Sequence, residues 1–539
     1  EGMNKDAKAV MTHHEETKHH FRRYARSPGY MDWQNQPIPF RTYEGAEPVS
    51  LELLKEDPVG KHPDLYRREH HSSSPVSKGS IGAFLELSMG LSAWKAAGPS
   101  RWALRMNPSS GNLHPTEAHL VIPQAKDLSP GVYHYNPYPH ALERRAVLPE
   151  SLCDMIRNHF GAEVFLVGLS SIFWREAWKY GERAFRYCNH DVGHALAALA
   201  VSANLQGWKL SCLHRLSDAD VNRILGFDRT EWKPLEAEHP DLICVVHPAN
   251  TETASDLPRA VLSAFSELDF QGTPNRLSRD PVDWQAIQRA AEATEKPRTD
   301  EKRPAFEEGA FAQGAESALS AAEIIRRRRS AVSFSGKGML ARACFLSMLK
   351  RTLPRHNCPP FDLGLGPPRV NLLLFVHRVE EMKPGLYFFH RTGNGLDRIR
   401  QHTRSDFGWE PVQGNRRLFL LEAGNFQDTA VALSCHQGIA GYSAFSLGMI
   451  ADFQETIAEA PYKYRHLFWE TGMIGQVLYL EAEAYGVRGT GIGCFFDDPV
   501  HELLGLKDST FQSLYHFTVG DPVEDERLST YPPYHHLKR

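Results

Sequence analysis

Several features that would point to particular classes of protein are missing from this sequence. No run of 18 apolar residues occurs in the 539-residue chain, which argues against a transmembrane helix. The cysteines never form a Cys-x-x-Cys pair, and the paired histidines lack the spacing of zinc ligands. Neither sign of charge dominates, since the formal net charge is -4 and the pI about 6.7. We therefore expect no membrane, nucleic-acid or metal partner.

The start of the chain and its cysteines bear on the cellular compartment. The first residues are charged and rich in histidine, and no apolar core of a secretory signal follows them. We interpret the cysteines as reduced, mostly buried thiols and expect a cytoplasmic protein. The eight cysteines are Cys153, Cys188, Cys212, Cys244, Cys344, Cys358, Cys435 and Cys494.

The length exceeds that of one compact domain, and the composition changes along the chain. Residues 1–80 are polar and weakly periodic, which is typical of an N-terminal arm. Residues 81–255 have the apolar pattern of a first globular domain. Residues 256–310 are rich in Pro, Glu, Lys, Arg and Ala, and we interpret them as a linker with one possible helix. Residues 311–539 form a second globular pattern.

Local patterns predict individual elements within the first domain. The stretch Ile81–Leu87 opens a helical pattern, and Ala118–Ile122 and Leu242–Val246 are typical of strands. The stretch Ala195–Asn204 is apolar almost all round, so it predicts a buried helix.

The two halves share landmarks in the same order. Pro130-Gly131 is followed by an aromatic strand pattern and recurs as Pro384-Gly385, 254 positions later. Gly193 recurs as Gly472, 279 positions later, and each precedes a second glycine by 14 positions. A Leu-Gly pair then follows in each half. Matched landmarks favour an internal duplication over a chance likeness of two α/β units.

A polar turn in the first half could contact a ligand. The chain reads Asn107-Pro-Ser-Ser-Gly-Asn-Leu-His-Pro-Thr-Glu117, where small residues bring hydroxyl, amide and backbone N–H groups close together. These groups can reach a flat heteroaromatic ring at short range. Composition alone favours the simpler interpretation, an ordinary Asx or Ser turn.

A basic segment in the second half could bind phosphate. Arg326–Ser330 follows an apolar helical stretch, and arginine suits bidentate phosphate binding, although a solvated charge run is the simpler interpretation. At the repeat offset, residues 108–112 fall on residues 362–366, which lack such polar groups. Residues 326–330 fall opposite residues 72–76, which lack a cation. Each half thus has one part of a site, as expected for a pseudo-dimer with a single composite site.

The motif from Asn107 to Glu117, with the Pro-Gly-Val-Tyr-His-Tyr turn after it, resembles the nitroreductase superfamily. It resembles most closely the SagB-type dehydrogenase branch, which includes azoline oxidases of peptide natural-product pathways. Residues 31–37 and 178–187 are also similar to that branch. The resemblance covers roughly residues 15–250 and, more weakly, 315–539. It implies an α+β fold in each half, a mixed, mostly antiparallel sheet flanked by helices, with long helices forming an intramolecular pseudo-dimer.

The resemblance implies an FMN site at the interface of the two domains. The implied phosphate ligands are Arg328, Arg329 and Ser330, with Arg527 as a further cation near the C-terminus. The implied turn under the flavin consists of Pro108, Ser109, Ser110 and Asn112. The implied loop near the edge of the flavin consists of Gly491, Ile492 and Gly493. Val332 stands where the family usually has a further basic residue. We expect one FMN per chain, because neither half has both parts.

Lys179 and Tyr180 are the strongest candidates for catalysis. In azoline oxidases of the branch that this chain resembles, a Lys-Tyr pair serves acid–base chemistry beside the flavin. The second half contains Lys463-Tyr464, but out of register with the first pair. The simpler interpretation is a surface lysine beside a half-buried tyrosine.

The sequence as a whole predicts an FMN-dependent oxidoreductase that transfers hydride between an organic substrate and the flavin. The substrate would be a small molecule or derived from a peptide. One alternative is a nitro or quinone reductase with NAD(P)H as electron donor, and the lack of a Gly-x-Gly-x-x-Gly motif discriminates little against it. Another is a non-catalytic, flavin-binding scaffold for a partner enzyme. The tandem arrangement is compatible with a monomer.

Overall fold

The computed structural model describes residues 2–68, 72–304 and 314–537. Two parts of the sequence analysis therefore lie outside the described residues. These are the histidine pair at positions 70 and 71 and the stretch 305–313, where the predicted linker meets the second domain.

The first half contributes helices and strands up to residue 293. Its helices are α1 (Lys5–Glu16), α2 (Lys78–Glu86), α3 (Glu150–Phe160), α4 (Phe173–Tyr180), α5 (Ala184–Leu205), α6 (Asp218–Leu225), α7 (Arg259–Ser266) and α8 (Gln285–Ala293). Its strands are β1 (Tyr43–Glu44), β2 (Glu47–Ser50), β3 (Leu91–Ala97), β4 (Ser100–Arg105), β5 (Thr116–Ile122), β6 (Gly131–Asn136), β7 (Ala141–Val147), β8 (Phe165–Ser171), β9 (Trp208–Cys212), β10 (His239–Pro248) and β11 (Thr273–Pro274).

The second half begins its regular structure at residue 321. Its helices are α9 (Ala321–Arg327), α10 (Arg342–Arg351), α11 (Leu396–His402), α12 (Gln427–Leu433), α13 (Gln454–Glu459), α14 (Lys463–Ala484) and α15 (Asp497–Leu504). Its strands are β12 (Val370–Val376), β13 (Gly385–Phe389), β14 (Glu410–Val412), β15 (Asn415–Ala423), β16 (Phe445–Asp452), β17 (Arg488–Ile492), β18 (Phe511–Gly520) and β19 (Ser529–Tyr531).

Each half is built on a seven-stranded antiparallel sheet. The strand order is β2-β7-β6-β5-β8-β10-β9 in the first sheet and β14-β15-β13-β12-β16-β18-β17 in the second. The inner strands therefore correspond one to one, and only the edge strands β2 and β14 come from different places in the chain. The predicted α+β fold, with a mostly antiparallel sheet flanked by helices in each half, is confirmed. The strands predicted at 118–122 and 242–246 lie in β5 and β10, and the helices predicted from residues 81 and 195 lie in α2 and α5.

The duplicated turn is reproduced in atomic detail. Gly131 and Gly385 each begin a strand, and the aromatic residue two positions later closes the turn in the same way. The Tyr133 hydroxyl donates to the Ser129 carbonyl and the Tyr387 hydroxyl to the Lys383 carbonyl, each at 2.6 Å. A shared side-chain contact at the repeat offset supports duplication more strongly than a shared strand order does.

The halves meet where the long helices α5 and α14 cross. Gly193 faces Gly472, its own counterpart in the repeat, so close that a Cβ atom added to either glycine would lie 2.8 Å from the Cα atom of the other. This self-complementary contact is the one expected at a two-fold interface. Around it, the Trp469 indole donates to Asn189 at 2.9 Å, and His194 lies 2.9 Å from Gln476.

The chain ends bind across the interface. In the N-terminal arm, α1 packs on the second half, where His13 and His14 contact the Tyr464 hydroxyl at 3.0 and 3.2 Å. At the other end of the chain, β19 pairs with β3 of the first half, so β19, β3 and β4 form a three-stranded sheet. A segment from each half therefore packs against the other half.

The segment interpreted as a linker contains two helices in its described part. Helix α7 buries Val261, Leu262 and Phe265 in the apolar cluster of the first sheet, and α8 buries Ile287. Compact packing thus continues past residue 255, where the sequence placed the end of the first domain. In the described part of the chain, no helix combines the length and hydropathy that crossing a bilayer requires.

The glycine crossing yields a test of the interface. Replacing Gly472 by alanine places a methyl group against the Gly193 backbone, which must shift, so we expect the variant to be destabilised by roughly 1–3 kcal/mol. Gly79→Ala in α2 is the matched control, because the nearest atom to its added Cβ is 3.8 Å away and alanine favours a helix. Denaturant unfolding measures both. A Gly472→Ala variant as stable as Gly79→Ala would contradict the close crossing.

Candidate functional site

The candidate site is a cavity of about 380 Å³ between the two halves. This volume lies in the range of roughly 300–1,000 Å³ typical of ligand pockets. Its wall comes from both halves of the repeat. First-half residues in the wall include Lys95, Arg105, Pro108, Ser109, Ser110, Gly111, Asn112, His114, Asp191 and His194, and second-half residues include Arg328, Arg329, Ser330, Val332, Tyr479, Arg488, Thr490, Gly491, Tyr515 and Glu524.

The polar turn before β5 forms the first-half wall. Gly111, Asn112 and His114 have φ values of 68°, 56° and 52°, so the backbone here is left-handed at three positions. The turn is held by the Asn112 side chain, whose Nδ2 donates to the Ala103 carbonyl at 2.8 Å and whose Oδ1 lies 2.7 Å from His114 Nε2. Pro108, Ser109, Ser110 and Asn112 all line the cavity, where the sequence analysis expected them together.

Two arginines after α9, Arg328 buried and Arg329 half-buried, form a cationic part of the wall next to the turn. Arg328 donates from Nε and Nη2 to the carbonyls of Met106 and Arg105, at 3.0 and 2.9 Å. Arg329 donates to the Ser92 carbonyl at 3.2 Å. Neither pairs with a carboxylate among the described residues. Burial, with the neighbouring cations, lowers the pKa of Arg329 to about 10, and burial lowers that of Arg328.

Two further cations reach this wall that the sequence analysis did not single out. Arg488, at the start of β17, pairs with Glu524 at 2.6 Å and Glu483 at 3.3 Å. Lys95, from the β3–β4 hairpin, has its pKa lowered by burial and by Arg329. Burial is the main cause of these lowered pKa values, and the neighbouring cations add to it for Lys95 and Arg329, so an anionic ligand beside them would be stabilised.

Arg527 is not brought to the cavity. Its side chain is 87% exposed and pairs with Asp525, two residues before it, at 2.9 Å. The cation that the second half does supply is Arg488, which directly precedes the predicted glycine loop. An arginine next to that loop is the sequence signal that could have found it.

The predicted glycine loop is only partly at the cavity. Gly491 lines it, and the Gly491 N–H donates at 2.9 Å to the Tyr479 hydroxyl, which also lies 2.8 Å from Ser330 Oγ. Ile492 instead packs in the apolar cluster of the second sheet. The Gly493 carbonyl accepts from Arg183 at 2.9 Å. Strand alternation explains the position of Ile492, which β17 turns away from Gly491, whereas Gly493 lies beyond the end of β17.

Lys179 and Tyr180 lie at the end of α4, beside the turn. A Cβ atom added to Gly111 would lie 2.8 Å from the Tyr180 hydroxyl, so the ring packs directly against the turn. Lys179 Nζ is 5.4 Å from the centre of the Tyr180 ring. Burial and the nearby Glu176 raise the pKa of Tyr180 well above its usual value. Neither residue is in the cavity wall itself.

The corresponding place in the other half of the repeat is filled by the chain. The turn at 362–366 closes directly onto the edge of the first sheet, where the Cys212 N–H donates to the Leu363 carbonyl at 2.8 Å. Arg68 pairs with Asp362 at 2.7 Å, and the Arg303 side chain, from beyond α8, packs on Gly364. A space of about 60 Å³ remains near Glu470, the counterpart of Asp191. Among the described residues, the space at this place is therefore much smaller than the cavity of about 380 Å³ between the polar turn and the arginines.

One expectation about the cysteines is wrong. Cys435 and Cys494 form a disulfide, whereas the other six are free. The two residues are separated by 59 positions, and only the fold brings the end of α12 next to the loop after β17, so spacing in the sequence could not reveal the pair. Among the residues that the structure describes, no group of three or more histidine, cysteine or acidic side chains could hold a metal ion.

The comparisons with known proteins agree with this architecture. Residues 68–237 match the model of the nitroreductase family. A solved structure of a nitroreductase-like protein from Anabaena variabilis aligns with 96% of this chain and 99% of its own, at 20% identity and a TM-score of 0.68. No curated protein matches the chain.

Two other solved structures align with about two-fifths of this chain. One is the E. coli microcin synthetase McbBCD complex with truncated pro-MccB17, at 18% identity, 41% of this chain, 79% of the other and a TM-score of 0.27. The other is an NAD(P)H:FMN oxidoreductase-like protein from Staphylococcus epidermidis, at 11% identity, 40% of this chain, 92% of the other and a TM-score of 0.21. Residues 68–237 therefore match the nitroreductase family, and the whole chain shares the fold of the Anabaena variabilis protein, with two similar α+β halves in tandem.

Proposed function

We propose that the protein is an FMN-dependent oxidoreductase of the SagB-type branch that holds one FMN per chain between its halves. The observation that carries the proposal is the composite cavity, whose wall combines two arginines without carboxylate partners among the described residues and a polar turn. This donor set fits a ligand with a phosphate at one end and a planar, hydrogen-bonding ring at the other.

The residues divide between these two ends. Arg328, Arg329 and Ser330 would hold the phosphate, with Arg488 in the place that the sequence analysis gave to Arg527. The turn from Pro108 to Asn112 would support the ring. The chemistry that FMN supplies when bound is two-electron transfer as hydride, and the protein supplies placement and proton transfer.

A second flavin has no place in this arrangement. The turn at 362–366 bonds directly to the sheet edge, and Arg303 covers it, so binding there would require the chain to open. No arginine pair equivalent to Arg328 and Arg329 faces it from residues 72–76. The second half would therefore serve as the phosphate-binding partner of the first.

Lys179 and Tyr180 would transfer protons to and from a substrate bound beside the Pro108–Asn112 turn. Tyr180 stays protonated at neutral pH because burial raises its pKa, so it can donate to a substrate heteroatom. Lys179 is half-buried at the same place and would be the second group that takes part in proton transfer with the substrate. A peptide-derived heterocycle, such as an azoline, offers both groups.

The phosphate clamp is tested by changing one arginine. Arg329→Ala removes a charge-assisted contact, so we expect the Kd for FMN to rise about 10- to 100-fold. The Kd for riboflavin, which lacks the phosphate, should stay within about twofold, which is below ~0.5 kcal/mol. The neighbouring Arg327, which is exposed, gives the matched control Arg327→Ala. Fluorescence titration measures each Kd. Equal losses for FMN and riboflavin would show that Arg329 does not bind phosphate.

The acid–base pair is tested by flavin reduction in the absence of oxygen. Protein loaded with FMN is mixed with an azoline-containing peptide and, separately, with NADPH, and flavin absorbance is followed. We expect the peptide to bleach the flavin, and Lys179→Met to slow this about 100-fold with unchanged FMN content. Lys463→Met, in the out-of-register second-half pair, should match the unmodified protein. Bleaching by NADPH alone would favour a nitro or quinone reductase instead.

A further inference from the structure

Ser109, in the polar turn, makes three close polar contacts. Its Oγ lies 2.6 Å from Asp191 Oδ2 and 3.1 Å from Glu176 Oε1. The same oxygen accepts the His114 N–H at 3.0 Å. Ser109 therefore connects the turn to α4, which carries Glu176, and to α5, which carries Asp191.

The hydrogen count of a hydroxyl limits how these contacts can be attractive. A serine hydroxyl has one hydrogen to donate and two lone pairs that accept. The hydrogen is best placed toward Asp191, the shorter contact, and one lone pair accepts the His114 N–H. The contact with Glu176 is then attractive only if the Glu176 carboxyl carries a proton and donates it to Ser109. An ionised Glu176 would instead place two oxygens together without a hydrogen between them.

The surroundings of Glu176 favour the same protonation state. Its side chain is fully buried, and Oε2 has no hydrogen-bond partner among the described residues. An ionised carboxylate is costly in such a place. Burial, followed by the facing Asp191, raises the pKa of Glu176 well above its usual value, and burial raises that of Asp191 to about 8. The other titratable groups facing the pair include Lys179 and Tyr180 on α4, Cys188 on α5 and Tyr515 on β18.

We propose that Glu176 is a neutral carboxylic acid whose proton is donated to Ser109, and that this hydrogen bond positions the Pro108–Asn112 turn for its ligand. The role rests on the proposed function for the identity of that ligand, FMN. Glu176 is a positioning residue, because it acts through Ser109 and is not in the cavity wall. The chain of donors runs from Glu176 to Ser109 and from Ser109 to Asp191, which does line the cavity.

The donor requirement separates two substitutions of similar size. Glu176→Gln keeps an N–H donor toward Ser109, so the Kd for FMN should stay within about twofold. Glu176→Met fills the space without a donor, so the Kd should rise about 5- to 10-fold, as for one lost buried hydrogen bond. Circular dichroism confirms that both variants are folded. Equal FMN affinity in the two variants would overturn the positioning role.

The protonation state is measured in the ligand-free protein. The infrared difference spectrum between the unmodified protein and Glu176→Gln should show, at neutral pH, a protonated carboxyl band that shifts in D2O. A carboxylate band in its place would overturn the proposal. This readout does not involve FMN, so absence of FMN binding in every protein would count against the proposed function and leave the carboxyl band to decide the state of Glu176.

Stability against pH gives a second ligand-free readout. A carboxyl whose pKa is raised in the folded state contributes stability that is complete below its unfolded value, near 4, and is lost as pH rises through the folded value. The Asp191–Glu176 pair should therefore lower the free energy of unfolding as pH rises from 5 to beyond 8. Glu176→Gln should show a smaller loss, and Asp428→Asn, at an exposed carboxyl, an unchanged one. Identical profiles for all three proteins would contradict a neutral Glu176.

Discussion

The contact between Gly193 and Gly472 is the constraint on which the rest of this structure depends. Because neither residue has a side chain, α5 and α14 approach closely enough for each to present functional groups to the other half. Asp191 and His194 on α5 thereby lie in the same cavity wall as Tyr479 on α14. His194 bonds at once to Gln476 and to the Tyr515 hydroxyl, at 2.9 and 3.0 Å, which ties the helix pair to the second sheet.

The two related sites have diverged in opposite directions. One has a polar turn, an open cavity, and two arginines that lack acidic partners among the described residues. In the other, the turn carries Asp362, Leu363 and Leu365 and packs onto β9. Arg68 is the counterion of Asp362, and the Arg303 side chain fills the space beside Gly364. The segment after α8, which helps to fill the counterpart of the cavity, also joins the halves, because it is bonded to both. His214 contacts the Glu301 carbonyl at 2.7 Å, and Lys463 pairs with the Glu301 carboxylate at 3.3 Å.

The sequence predicted those parts of the site that are contiguous in the chain. The turn at 107–117 and the arginines after α9 carry their chemistry in short runs, so the repeat offset and the family resemblance were enough to assign them to one site. Arg488, Lys95 and Tyr479 come from a strand, a hairpin and a helix, and only tertiary packing unites them. Cys435 and Cys494 were missed for the same reason. Arg527 was expected near the phosphate from family likeness alone, yet a local pair with Asp525 holds it in solvent.

The number of flavins that one chain binds tests the central claim, a single composite site, most directly. Protein freed of bound flavin is dialysed to equilibrium against saturating FMN, and bound FMN is counted per chain from absorbance and amino-acid analysis. A single open cavity predicts one FMN per chain with one affinity. Two FMN per chain would contradict the filled second site, and no binding would contradict the assignment of the cavity to a flavin.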